Sequence, residues 1–474
     1  MKLRIVALAA VATLAGQAQA LTLAQIASAR SAGTLLEVHF SGASALSAVV
    51  GGLFSQNCKA GTRNDYKSDF TDAAFAGDTA NGQSVNAYTC ELIAGNDFGA
   101  AFDNKQVVFQ KSDQGGSGNG VFPVAYNQQL PFLNLTAANC VADVCKSNGY
   151  TRAPEGGVSD VAPVGFNPSL NRPKSPVDFS NDILYPAVSN ANFQRVDGVI
   201  QTVFGLAVSK PLYDALQADQ GLASSVRPSV PRAVIATMLS NAFDPSISWK
   251  ALLPNSPAVN EQQVNICRRV NGSGTQTSAN RFWAEYAFNQ SSLIPADNAN
   301  NSEFSPANLI SDVNNNSVIH VYEGSSTSNV RSCLAEANKA GKLSFAIGHV
   351  SLENAETADW KFAKIDGVEP SRDNAKKGFY DYVFESTMQI SNSAANGAFP
   401  NNKRAFLNGF IDAAKKPANF NQLSAAAQNG VMALPTAASC AAAPFGGYVA
   451  ASAEEKFCSR VSRPTPNDPL VIFR

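Results

Sequence analysis

Histidine is scarce in this chain: His39, His320 and His349 are the three, and they stand far apart. With so few, a histidine-based metal centre or a histidine general base has few places to form. There is no Cys-x-x-Cys pair and no Cys-x-x-Cys-His haem-attachment motif, so no cofactor or metal is expected. Charge is also thin, at 15% of residues, with a formal net charge of −1. No basic run or stripe occurs, which excludes the electrostatic footprint of a nucleic-acid-binding protein. No repeat period is visible. After the first twenty residues there is no apolar run of about 20, the length a membrane span needs. Neither a Walker P-loop nor a dinucleotide fingerprint is present, so no nucleotide is indicated. No Gly-x-Ser-x-Gly elbow is present either.

The 45% apolar content is enough for a packed interior, and 474 residues exceed one small core. Lys2 and Arg4 open a secretory leader. Ile5 to Gly16 is its apolar stretch, and Ala18-Gln19-Ala20 is an Ala-x-Ala cleavage site. Residues 1–20 are therefore expected to be removed, which takes the net charge from −1 to −3 by loss of Lys2 and Arg4. Leu21, not cysteine, follows the site, so no lipid anchor is expected. Eight cysteines suit an oxidising compartment. Pairing neighbours gives Cys58–Cys90, Cys140–Cys145, Cys267–Cys333 and Cys440–Cys458, the simplest of the 105 connectivities open to eight cysteines.

The most informative stretch is Arg268-Arg269-Val270-Asn271-Gly272-Ser273-Gly274-Thr275-Gln276-Thr277. Phe282, Trp283, Tyr286 and Phe288 follow, mostly at helical spacing. Glycines let an anion approach the backbone N–H groups, and the first N–H groups of a helix lack internal partners. Ser273 and Thr275 add hydroxyls, and Arg269 adds a planar, permanent charge. Together they form a site for a tetrahedral oxyanion. Read alone, the same residues also describe a plain turn that starts a helix.

Three further strand–turn pieces precede it. Leu35 to Phe40 reads as a strand running into Ser41-Gly42-Ala43-Ser44-Ala45. Leu46, Val49, Val50, Leu53 and Phe54 then mark one helix face, with Ser44 at the N-cap position. Residues 55–105 read as a polar, irregular excursion. Val107 to Gln110 is a strand entering Lys111-Ser112-Asp113-Gln114-Gly115-Gly116-Ser117-Gly118. Val158-Ser159-Asp160-Val161-Ala162-Pro163 presents a carboxylate at a strand end. Val199 to Val208 is a buried strand, suited to a crossover between lobes. Further on, helices are expected at Lys210–Gln217, Arg232–Leu239, Asp244–Leu253, Val330–Ala340 and Arg404–Ala414, and strands at Val318–Val321 and Leu343–Val350.

In order and spacing, these four turns make the chain resemble the phosphate-binding proteins of ABC-type phosphate importers. Ser41-Gly42-Ala43-Ser44-Ala45 is similar to that family's opening Gly-Ala-Ser/Thr-Phe turn, with Ala45 replacing the aromatic. Gly116-Ser117-Gly118 is similar to its Ser-Gly-Gly turn, and Ser159-Asp160-Val161-Ala162-Pro163 to its Ser-Asp-Ala-Pro stretch. Arg269 to Thr275 is close to its Arg-x-x-x-Ser-Gly-Thr motif, the most specific of the four. The likeness spans roughly residues 34–415.

The resemblance implies an α/β, two-lobed type II periplasmic binding protein fold, each lobe a mixed sheet flanked by helices. The ligand cleft lies between the lobes. Residues 21–200 would begin the first lobe, 201–345 form the second, and 346–474 return to the first with a cysteine-containing extension. Ser44, Ala45, Ser117 and Asp160 would hold phosphate from one lobe, and Arg269, Ser273, Gly274 and Thr275 from the other. Asp160 would accept a hydrogen bond from a protonated oxyanion and reject sulfate, which has no proton at neutral pH. The expected partner is an ABC-type permease, the expected location the periplasm or the medium, and the expected state a monomer without catalytic residues. Two other readings remain open: a secreted phosphatase-like hydrolase, and a secreted interaction protein that keeps the fold but not transport.

Overall fold

The computed structural model describes residues 20–75, 84–174, 184–239, 249–256, 263–284, 301–303, 318–341, 344–392, 401–441, 455–463 and 470–472. Residues 1–19 of the leader, Tyr286, Phe288 and the first half of the helix expected at Asp244–Leu253 lie outside them. From that last segment Trp249–Ala251 forms a short 3-10 turn. Among the described residues no helix is long and apolar enough to cross a membrane.

The chain opens on helix α1 (Leu23–Ser31), closed at its start by a reciprocal cap between Thr22 and Gln25. Strand β1 (Leu36–Gly42) is almost wholly buried and leads through a 3-10 turn at Ser44–Leu46 into α2 (Ser47–Ser55). Ser44 makes no cap hydrogen bond, so the helix expected from Ser44 begins three residues later. Residues 55–105 are more ordered than their composition implies. They contain β2 (Asn64–Ser68) and β3 (Val85–Glu91), an antiparallel pair at the flank of the sheet. Their burial alternates along the strand, as an edge pair with one wet face requires. Strand β4 (Gln106–Ser112) lies parallel to β1 and leads into α3 (Gly116–Tyr126). Strand β5 (Gly156–Ser159) lies parallel to β1 on its other side.

Strand β6 (Phe193–Ser209) is 17 residues long and belongs to both halves of the molecule. The second half then contributes β7 (Gln263–Arg269), α4 (Gly274–Ala284), β8 (Val318–Gly324), α5 (Thr327–Glu336) and β9 (Ala346–Ser351). Strand β10 (Val383–Ser391) returns to the first half. It is followed by α6 (Asn401–Ala414) and β11 (Val431–Ala433). Helix α5 starts earlier than the apolar spacing implies, because Ser326 and Asn329 close a capping box. Strands β7, β8 and β9 are mutually parallel in the order β8-β7-β9. The first half of β6 pairs antiparallel with β10 from Phe193 to Val203, and its second half with β9 from Phe204 to Val208. One ladder therefore runs β8-β7-β9-β6-β10-β5-β1-β4-β3-β2 through two α/β lobes.

Each lobe has its own buried cluster. Phe40, Phe54, Phe109, Phe406 and Phe410 centre the first. Trp249, Ile347, Trp360 and Tyr382 centre the second, which also takes in Val121 and Phe122 of α3. The four neighbour-order disulfides are all present. The segment after residue 415 is part of the first lobe's core. Phe420 and Phe457 meet edge to face at 5.4 Å, and β11 pairs with β6.

Candidate functional site

All four turns sit at carboxyl ends of parallel strands: β1, β4, β5 and β7. In open α/β sheets this is where ligands bind. From the first lobe, α3 begins at Gly115 and Gly116, both with positive φ (71° and 60°), a conformation that glycine adopts without strain. From the second, α4 begins at Gly274, and Ser273 caps it by accepting from the Gln276 N–H at 3.3 Å. The two turns touch. The Gly118 N–H donates to Gly272 O at 2.6 Å. A Cβ placed on Gly274 would collide with Ser117 Oγ and with Asp160, so only glycine permits this approach.

The structure brings Ser117, Asp160, Arg269, Ser273, Gly274 and Thr275 together. Asp160 donates its backbone N–H to Ser117 Oγ at 3.1 Å, and its Oδ2 accepts from Thr275 Oγ1 at 3.3 Å. The Asp160 side chain is 2% exposed, and its Oδ1 has no hydrogen-bond partner. Burial pushes its pKa up to about 6, against the pull of Arg269, Ser117 and Thr275, which favour the carboxylate. Arg269 is buried, donating from Nη1 to Thr327 Oγ1 (3.1 Å) and from Nη2 to Ser325 O (2.6 Å). A Cβ on Gly116 would lie 2.9 Å from Arg269 Nη2, so the guanidinium lies against the start of α3. Cys267, two residues before Arg269, is bridged to Cys333 in α5, the helix that carries Thr327. Two helix N-termini and a guanidinium thus face a single buried carboxyl, a concentration of positive potential.

Ser44 stands apart from that contact. It lines a cavity of about 300 Å³ together with Ser47, Asp113, Thr327 and Glu353. Its Oγ is buried without a partner. Ala45 is buried beside it. Sequence reasoning missed three groups here. Lys111 is fully buried, ion-paired with Asp113, and donates to Gly42 O (3.3 Å) and Ala43 O (3.2 Å), tying the first two turns together. Thr327 orients Arg269. Glu353, on the loop after β9, has Oε2 buried without a partner, and burial pushes its carboxyl well above the usual range. A signal for α5 was present in Ser325-Ser326-Thr327-Ser328-Asn329, a fifth small polar turn after a strand. For Lys111 and Glu353 the sequence carries none.

No family model matches the chain, and no curated protein matches it. Solved structures similar to it include a substrate-binding protein assigned to a phosphate ABC transporter, with bound phosphate, from Clostridium perfringens. It is 13% identical, with 83% of this chain and 99% of that chain covered and a TM-score of 0.38. Another is an ABC-type phosphate transport receptor from Vibrio cholerae, 11% identical, with 55% and 74% covered and a TM-score of 0.30. In this chain two α/β lobes, joined by strands, meet at strand–turn–helix units. What this particular chain binds rests on its own geometry.

Proposed function

We propose that this protein is an exported solute-binding protein that captures inorganic phosphate between its lobes and delivers it to an ABC-type permease. The observation that carries the reading is the convergence of two helix N-termini and Arg269 on Asp160, a buried carboxyl with one oxygen unpartnered. The N–H groups and Arg269 stabilise an oxyanion. A lone carboxylate in such a place repels an anion unless the anion brings a proton. HPO₄²⁻ and H₂PO₄⁻ do so, and Asp160 accepts it. Sulfate would face Asp160 unpaired in a dry site, at a loss of about 1–3 kcal/mol.

The test is calorimetric titration of the mature protein, stripped of bound anion by unfolding and refolding with its disulfides intact. One-to-one phosphate binding is expected, with sulfate far weaker. Arg269→Ala is expected to weaken phosphate binding by about 2–5 kcal/mol, the usual loss when one member of a buried charge pair is removed. Phosphate and sulfate binding equally well, or neither binding, would overturn the reading.

A further inference from the structure

Inorganic phosphate does not account for the cavity beside the turns. At about 300 Å³ it holds the volume of about ten waters and reaches the lower range of small-molecule sites. It is joined to the oxyanion site through Thr327, which lines the cavity and accepts from Arg269. Polar side chains from both lobes share its wall with Ala48 and Tyr88: Asn86 and Asp113 from the first lobe, Ser326, Ser328, Glu353 and Asn354 from the second. Ser44 Oγ and Glu353 Oε2 lie in this wall buried and without partners, which a pocket shaped only by packing would avoid. The outer end continues along α2 past Ser47, Ala48 and Tyr88 into a wider groove of about 450 Å³.

We infer that this cavity receives the hydroxylated, uncharged part of a phosphate monoester, a polyol phosphate, whose phosphoryl group lies against Arg269, Ser117 and Thr275. The inference rests on the oxyanion reading and narrows the ligand class of the same site. Hydroxyl groups suit the wall because each both donates and accepts, and so can meet the hydroxyls of Ser47, Ser326 and Ser328 and the amides of Asn86 and Asn354. A second negative charge does not suit it, because Lys111, the cation beside the wall, is already paired with Asp113 and a buried anion would find no free counter-charge. A positive charge does not suit it either. Asp113 is already neutralised by Lys111, and burial keeps the proton on Glu353, so a buried cation would find no free counter-charge. The ester binds as its monoanion, with the remaining proton against Asp160.

The experiment titrates the anion-stripped protein with inorganic phosphate, glycerol 3-phosphate, glucose 6-phosphate and 3-phosphoglycerate. At least one of the two neutral-tailed esters is expected to bind about tenfold or more tighter than inorganic phosphate, the return of one or two extra buried hydrogen bonds. The carboxylated 3-phosphoglycerate is expected to bind more weakly than glycerol 3-phosphate. Ala48→Trp fills the cavity from an exposed face of α2, and Asn354→Ala removes a wall group; each is expected to lower the ester-to-phosphate affinity ratio. Thermal melts check that both variants fold. Phosphate binding without any ester preference would overturn the cavity inference and leave the oxyanion reading intact. An ester preference untouched by both substitutions, or no discrimination against 3-phosphoglycerate, would also overturn it. Failure of every probe to bind would overturn the oxyanion reading and the inference together.

Discussion

In the proposed function, Asp160 is the residue on which selectivity would turn. Its pKa of about 6 stands above the ordinary carboxylate value, so the folded anion-free protein holds this proton more tightly than the unfolded chain does. Between pH ~4 and pH 6 the folded state binds more protons, and stability falls as pH rises; above pH 6 the effect is complete. Asp160→Asn removes a contribution of up to about 3 kcal/mol across that window. The difference in denaturation midpoint between the two proteins, followed from pH 4 to pH 7, is expected to track it. A pH-independent difference would show that the carboxyl titrates normally. In ligand binding the same variant is expected to narrow the gap between phosphate and sulfate, because an amide can donate to sulfate where a carboxylate cannot. An unchanged affinity ratio, read by calorimetry, would remove Asp160 from the selectivity mechanism.

At the scale of elements, the strand–turn–helix units explain what was legible in the sequence. A glycine-rich turn at a strand end is a local feature, and Arg269 to Thr275 carries its chemistry in seven consecutive residues. The disulfides were legible because each joins neighbours along the chain, with separations from 5 to 66 residues. Strands β2 and β3 were not, since Asn64–Ser68 offers Tyr66 alone as an apolar residue and gains its place by pairing with β3. Ser44 was misplaced as a helix cap because capping geometry depends on where the helix starts. Lys111 and Glu353 are invisible locally, 242 positions apart in sequence, and meet only through the packing of the two lobes. The Cys267–Cys333 bridge fixes β7 to α5, and so fixes Arg269 relative to Thr327. Replacing both cysteines by alanine is expected to lower stability by about 2–4 kcal/mol. If the brace positions Arg269, phosphate affinity falls as well; an affinity equal to wild type at a temperature where both proteins are folded would make the bridge purely structural.

Across the whole molecule, the direct contact between the α3 and α4 turns describes lobes that are drawn together. The Gly118–Gly272 hydrogen bond and the bare Cα of Gly274 leave no room there for a side chain. Gly274→Val is expected to hold the lobes apart. Small-angle X-ray scattering with saturating phosphate would then give a larger radius of gyration than wild type, with phosphate binding weakened. An identical radius and affinity would mean the turns can shift without separating the lobes.

Strand β6 would set the mechanical character of any motion between the lobes. It passes from one lobe to the other without a loop, hydrogen-bonded to β10 on the way in and to β9 on the way out. A loop hinge swings freely and stores little, whereas a paired strand must twist along its length and returns elastically. Its irregular pairing between Gly198 and Ile200 is where that twist is easiest. If the lobes move, a paired strand of this kind would act as a torsion spring rather than a joint, and opening is expected to be small in angle and self-reversing.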